Sequence, residues 1–260
     1  MKLGFSQEQA NFIAPKIQVD PARGAGHCAG AEIKSAKARL RTRVPQNGMN
    51  YKGFNIAMHE LGHAVEQTLT LHKIDYYALR GVPNVAFTEA FAFLFQARDL
   101  AVLGIKNENK DASYLQALDN LWSSYEIMGV ALVDMKTWNW LYAHPNATPA
   151  ELKEAVIANA KEIWNSYYAD IFGVKDQLIL GIYSHMIASA LYLPDYPIGH
   201  TIQFQMERYM EGKNLGAEME RICKAGRIIP DLWMQNAVGS AVSTKPLLQA
   251  TEEALRFVTK

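Results

Sequence analysis

Residues 59–63 read His59-Glu60-Leu61-Gly62-His63. On an α-helix, positions i and i+4 share a face, so both imidazoles can converge on one metal ion with Glu60 beside it. The surrounding segment, FNIAMHELGHAVEQTL, places apolar residues at helical spacing and predicts a helix over 54–71. This pentapeptide constrains the fold more than any other feature. A helix that is apolar on one side and carries metal-type ligands must be packed by other elements that hide it and complete its site. At average composition the pattern arises by chance in about 1% of chains of this size.

A catalytic metal needs a third protein ligand and one open position. The downstream candidates are Glu66, His72, Asp75, Glu89 and Asp99. Glu66 and His72 follow too closely for a separate helix to turn back. Between His63 and Glu89 there are 25 residues, with Gly81 and Pro83 among them. Glu89 sits in the very apolar run VAFTEAFAFLF, on a helix predicted over about 87–103 and ended by Gly104. A carboxylate in such a run is expensive to bury without a cation, and that cost selects it as the third ligand.

Elsewhere the pattern is helical. Leu115, Leu118, Trp122, Tyr125, Met128 and Leu132 recur at steps of three or four and predict a buried stripe. Thr148, Pro149 and Glu151 form a capping box with proline at the first helical position. The helix that follows has the expected stripe Leu152, Val156, Ala160, Ile163, Tyr167 and Ile171, with Gly173 past its end. A fifth helix is expected over 176–191. Pro194 and Pro197 are then expected to break the chain, with three or four shorter helices after them, the last from near Pro246. Residues 1–30 read as irregular. Residues 38–44 alternate, with Ala38, Leu40, Thr42 and Val44 on one side and three arginines on the other. That is a half-buried strand whose edge is open to an extended peptide. The fold class is mainly α, with a small antiparallel β edge. No repeat or Ser/Gly linker divides the chain, so residues 1–260 are taken as one catalytic domain.

The 260 residues carry 26 Lys plus Arg and 26 Asp plus Glu, so no net charge draws the chain to nucleic acid or an anionic membrane. No apolar run reaches membrane-spanning length, and the start shows no signal-type apolar core. Two cysteines, Cys28 and Cys223, make no disulfide framework, and a reduced, cytoplasmic protein is expected. Gly24-Ala25-Gly26-His27-Cys28-Ala29 fits a loose dinucleotide fingerprint, but it has no βαβ context. His72, His144 and His200 are expected to be structural or exposed.

The motif with a helix-borne glutamate about 25 residues on resembles the gluzincin metallopeptidases, in particular the thimet oligopeptidase/oligoendopeptidase F and carboxypeptidase Taq families. Two further stretches carry the likeness. RLRTRV resembles the R-I-T-T-R-type strand before the zinc helix of carboxypeptidase Taq enzymes. Tyr192-Leu193-Pro194-Asp195-Tyr196-Pro197-Ile198-Gly199 resembles their G-Y-F-P-T-Y-x-L-G segment. The resemblance implies a zincin-like helical catalytic domain and zinc held by His59, His63 and Glu89. It also implies Glu60 as general base, and Tyr192, Tyr196 and His185 as donors to the transition state. The position seven after the third ligand, often acidic in thimet-type enzymes and orienting a ligand histidine, is Gln96 here. The I-R-x-x-A-D signature that holds a substrate carboxylate is absent. Both families carry hundreds of residues before the zinc helix where this chain has 58. That implies either a compact relative or, as the favoured expectation, the catalytic part of a longer protein, completed by an N-terminal region or by a second copy.

The expected function is a zinc-dependent peptidase acting on peptides. The alternatives are a silent metal-binding module, a zinc hydrolase of a non-peptide amide, and a metal-free helical interaction protein. Cobalt or manganese also suits a His₂Glu site.

Overall fold

The computed structural model describes residues 2–105 and 111–259. The chain opens with α1 (Gln7–Ile13), a single 3₁₀ turn (Ala14–Lys16), and strands β1 (Ile17–Ala22), β2 (His27–Ala29) and β3 (Ala38–Arg43). Then come α2 (Tyr51–Lys73), α3 (Val85–Gln96), α4 (Asp99–Leu103) and the long α5 (Ala112–Ala143). The remainder is α6 (Pro149–Tyr167), α7 (Ala169–Phe172), an irregular stretch, α8 (Asp195–Met210), α9 (Leu215–Cys223), α10 (Pro230–Val238) and α11 (Lys245–Val258). Helix dominates and the strands form one small sheet, as the patterning predicts. Among the described residues, no helix is long and apolar enough to cross a membrane.

Helix α3 is apolar nearly all round, and a helix of that kind must be enclosed. Phe87, Ala90, Phe91, Ala92, Leu94 and Phe95 are all buried, between α2 on one side and α8 on the other. Two glycines permit that closeness. A Cβ on Gly62 would lie 2.6 Å from Ala92 Cα and from the Phe91 carbonyl oxygen, and one on Gly199 would lie 2.9 Å from Glu89 Cβ. The main core, with Trp233 against Phe87 and Phe91, continues from this sandwich into α9 and α10. A second core lies between α5, α6 and the stretch that ends at Leu193.

The sheet has order β1-β3-β2, with β1 parallel and β2 antiparallel to β3. Ala38, Leu40 and Thr42 face α2, where Thr42 Oγ1 donates to the Gly53 carbonyl at 2.6 Å. The strand at 38–44 is therefore central and paired on both sides, so its edge is not open to a peptide. The free edge beside α2 belongs to β2. Residues 1–30, expected to be irregular, supply α1 and both outer strands; β1 contains Pro21, a residue tolerated at a sheet edge.

Five further expectations are corrected. The helix expected over 87–103 ends at Gln96, because Arg98 turns out to pair with Glu207 of α8 (2.5 and 2.8 Å). The stripe on α5 is rotated. Leu115, Trp122 and Met128 are exposed, while Ala117, Ser124, Val130, Val133 and Thr137 are buried. On α6 the capping box and Pro149 start the helix as read, but Tyr167 and Ile171 are exposed, and Trp164 and Tyr168 take their places in the core. Residues 176–191 form no α-helix. A 3₁₀ turn at Ile179–Gly181 is followed by bends with positive φ at Ile187 (66°) and Leu191 (56°). Pro194 and Pro197 do not break a helix but begin α8, where a missing N–H costs nothing in the first turn.

Replacing Gly62 with alanine raises helix propensity by about 1 kcal/mol, yet it forces α2 from α3. A net loss of about 1–3 kcal/mol in urea unfolding is expected for Gly62→Ala and for Gly199→Ala. Unchanged midpoints would mean that the helices do not approach as closely as described.

Candidate metal centre

His59 and His63 project from one face of α2, as their spacing predicts, toward Glu89 on α3. One ligand atom from each of the three lies within 4.8 Å of the others. His59 Nε2 is 3.3 Å from Glu89 Oε2, and His63 Nε2 is 3.6 Å from Glu89 Oε1. Two ligands at zinc-bonding distance on a tetrahedron are about 3.4 Å apart, so these separations fit one small ion. Glu89 is 1% exposed. Its Oε1 accepts from the Tyr192 hydroxyl at 2.5 Å, while Oε2 is buried with no hydrogen-bond partner among the described residues. A buried carboxylate with one orphaned oxygen, set against two imidazole nitrogens, is what a cation site requires.

The ring nitrogens away from this point are both anchored. Asp99 accepts from the Asn55 amide (2.7 Å) and the Tyr51 hydroxyl (2.8 Å). With its NH₂ committed to a carboxylate, Asn55 offers its oxygen to the Gln96 amide at 2.7 Å. Gln96 then presents its own oxygen to His59 Nδ1 at 3.0 Å. A carboxylate can only accept, so the whole chain has one polarity: His59 Nδ1 carries the hydrogen and Nε2 is left with its lone pair. On the other histidine, the Thr88 hydroxyl donates to the buried Glu66 at 2.8 Å and so accepts from His63 Nδ1 at 3.0 Å. Sequence reading noted Gln96 as the counterpart of an acidic residue and weighed Glu66 and Asp99 as ligands, but it missed Asn55 and Thr88 and the orienting roles of Glu66 and Asp99. The apolar flanks of Asn55 and Thr88 were the available signal.

Burial opposes a charged His59, yet Glu89 beside it and Glu60 nearby raise its pKa. Burial, only partly offset by Glu89, pushes His63 down to about 4. Glu89 is drawn below its ordinary value, because the two imidazoles and the Tyr192 hydroxyl outweigh its burial. Burial raises Glu60 to about 7, with His59 working against the rise and Glu89 adding to it. A cation held by the three ligands would lower Glu60 toward the ionised form.

These groups line a cleft of about 580 Å³ with Gly26, His27, Cys28, Tyr183, His185, Tyr192 and Tyr196. His185, Tyr192 and Tyr196 are thus brought to the site, with ring centroids 5.3–6.5 Å apart. Burial together with Glu89 pushes both tyrosine hydroxyls up and keeps them protonated. His200, expected to be structural or exposed, is partly buried, stacks on Phe93 at 3.8 Å and is held neutral by burial, with its pKa near 4. The glycine-rich segment forms β2 and its approach rather than a phosphate loop. A Cβ on Gly26 would meet Ile56 at 2.3 Å and come 3.3 Å from Glu60 Oε1. Burial pushes the Cys28 thiol to about 12, which leaves it inert at neutral pH.

The whole described chain superposes on solved metallopeptidases. PZ peptidase A is similar at TM-score 0.66 and 19% identity, over 99% of this chain and 47% of that one. A protein described as an oligoendopeptidase F, from Bacillus anthracis str. Ames, gives 0.60 and 16%, over 97% and 42%. Trypanosoma cruzi metallocarboxypeptidase 1 gives 0.56 and 12%, over 96% and 58%. The chain shares the fold of these metallopeptidases. The chain spans about half the length of these proteins. The sequence matches no protein-family model and no curated protein.

Two outcomes follow for the metal site. Thr88→Val and Gln96→Leu are each expected to weaken zinc binding by about 10–100-fold in a competitive chelator titration. Since the raised pKa leaves His59 protonated in acid, zinc must displace its proton. Affinity should then fall, by up to about tenfold per pH unit, once the medium is acid enough to protonate His59. A flat pH dependence would exclude His59 from the ligand set.

Proposed function

We propose that this chain is a zinc-dependent peptidase unit, with zinc held by His59, His63 and Glu89. The observation that carries the reading is the buried Glu89 carboxylate, with its unpartnered Oε2 beside His59 and its Oε1 beside His63, in the same cleft as the Glu60 carboxylate. The shared fold of the metallopeptidase structures supports it.

A bound zinc ion supplies a Lewis acid that acidifies water and polarises a carbonyl. Glu60 lies beside the ligands without belonging to them. It takes the proton of the attacking water and returns it to the leaving amine. Tyr196 and His185 sit across the cleft as donors to the developing oxyanion. Tyr192, read from the sequence as a third such donor, holds Glu89 Oε1 and leaves Oε2, the oxygen beside His59, without a hydrogen-bond partner. The peptide backbone runs along β2, an edge strand whose His27 and Cys28 line the cleft. The thiols of Cys28 and Cys223 are both free, in keeping with a cytoplasmic setting. A silent metal module has no use for a carboxylate placed where Glu60 stands.

Glu60→Gln is expected to keep one zinc per chain and to lose about two to four orders of magnitude in kcat on a quenched fluorescent peptide. Glu89→Ala should lose the metal as well. In the active protein, kcat/KM should fall about tenfold per unit of pH below the Glu60 pKa, because the protonated carboxyl accepts nothing. Full activity of Glu60→Gln would overturn the mechanism.

A further inference from the structure

A second hollow, of about 680 Å³, opens beside the metal centre. The two meet at His59, Gln96, Tyr183 and Tyr196. Its walls come from α5, α6 and α7 and are largely aromatic. Trp164 stacks on Tyr168 (5.5 Å) and on Phe172 (5.4 Å), and Trp122 meets Phe172 edge-on at 6.2 Å. Val130 and Leu180 form the buried floor. Trp122, Phe172 and Ile179 remain 48%, 49% and 62% exposed around its mouth. Trp122 belongs to the α5 stripe that periodicity assigns to the core. In the fold that stripe is turned toward this hollow and solvent.

Apolar rings gathered around one concave opening, and left wet, gain free energy only when an apolar group covers them. The electrostatics narrow the choice. Among the described residues, the lining includes the carboxylate of Glu126 and no lysine or arginine. An acidic side chain would find repulsion there and no partner. His59 and His200 border the hollow, and His200 is held neutral, so it offers little to an anion.

We infer that this hollow is a side-chain subsite that takes a large apolar residue, aromatic by preference, next to the bond being cleaved. The inference rests on the peptidase reading and adds a substrate class to it. Since His59 is common to both cavities, a side chain seated in the hollow belongs to a residue that flanks the reacting carbonyl.

The test uses quenched peptides identical except at the two residues flanking the cleaved bond, each set in turn to Phe, Leu, Ala or Glu. At one of the two positions, kcat/KM should be about 10–100-fold higher for Phe than for Ala, and lower still for Glu. Trp122→Ala and Phe172→Ala, both at half-exposed positions, should each cut the Phe/Ala ratio about tenfold. Binding is read separately from turnover, by quenching of Trp122 and Trp164 fluorescence with N-acetylphenylalaninamide against N-acetylalaninamide. This is done in the unaltered 260-residue chain and in Phe172→Ala. Saturable quenching by the Phe amide alone, weakened in Phe172→Ala, supports the subsite. Cleavage of peptides with no Phe/Ala preference and no quenching overturns it while leaving the peptidase reading intact. Saturable quenching with no peptide cleaved overturns the peptidase reading, and the subsite role with it.

Discussion

The structure depends on keeping one carboxylate, Glu89, out of water beside two imidazoles. That placement is unfavourable by itself, so the surrounding elements must enforce it. An apolar α3 is driven inward by burial of its phenylalanines and carries the glutamate with it. Gly62 and Gly199 let the flanking helices close on α3 from both sides. The result is a rigid slot in which the Glu89 oxygens have different fates. One is satisfied by Tyr192 and the other is left for a cation.

The two histidines reach the same protonation pattern by unlike routes. At His59, two amides relay the acceptor character of Asp99 across the α2–α3 seam; at His63, a single hydroxyl does so for Glu66. Amides and hydroxyls have no fixed polarity of their own, so each chain takes its direction from the carboxylate at its far end. This accounts for a glutamine at position 96 without loss of the orienting function. The acceptor that an acidic residue would supply there is present, displaced to Asp99.

How much of this was legible depended on the range of the interaction concerned. The histidine-bearing face of α2 is a local matter of spacing, and the sequence displays it directly. Glu89 was found by energetic cost rather than by pattern, since a charged residue amid phenylalanines needs a reason. The capping box at Thr148 was equally local. The misreadings concern tertiary choices. Periodicity shows that a face of α5 is apolar but not which neighbour it meets, so Trp122 and Leu115 were given to the core. The run at 176–191 is rich enough in apolar residues to imitate a helix. Its path is fixed in part by Asp134 on α5, which accepts the Ile187 amide at 2.9 Å and pins the chain in a bend. The relay through Asn55 and Asp99 joins residues far apart in sequence by amide orientation alone, and no spacing rule reports that.

The bend has a consequence for the site. Ile187 and Leu191 are bulky residues at positive φ, a backbone state that costs on the order of 1–3 kcal/mol each. A regular helix here would avoid that cost, but it would place side chains at fixed angular steps along a single axis. The site requires His185 against the tyrosine rings, Tyr192 on Glu89, and Tyr196 on the first turn of α8, all turned toward one point. Only an irregular path between α7 and α8 meets that requirement. It is held by Leu193, which is fully buried in the second core, and by the Asp134 anchor. The first core thus positions the ligands, and the second positions the residues that face them across the cleft. The proposed chemistry and its apolar subsite lie at the seam between the two cores, where a substrate can touch both.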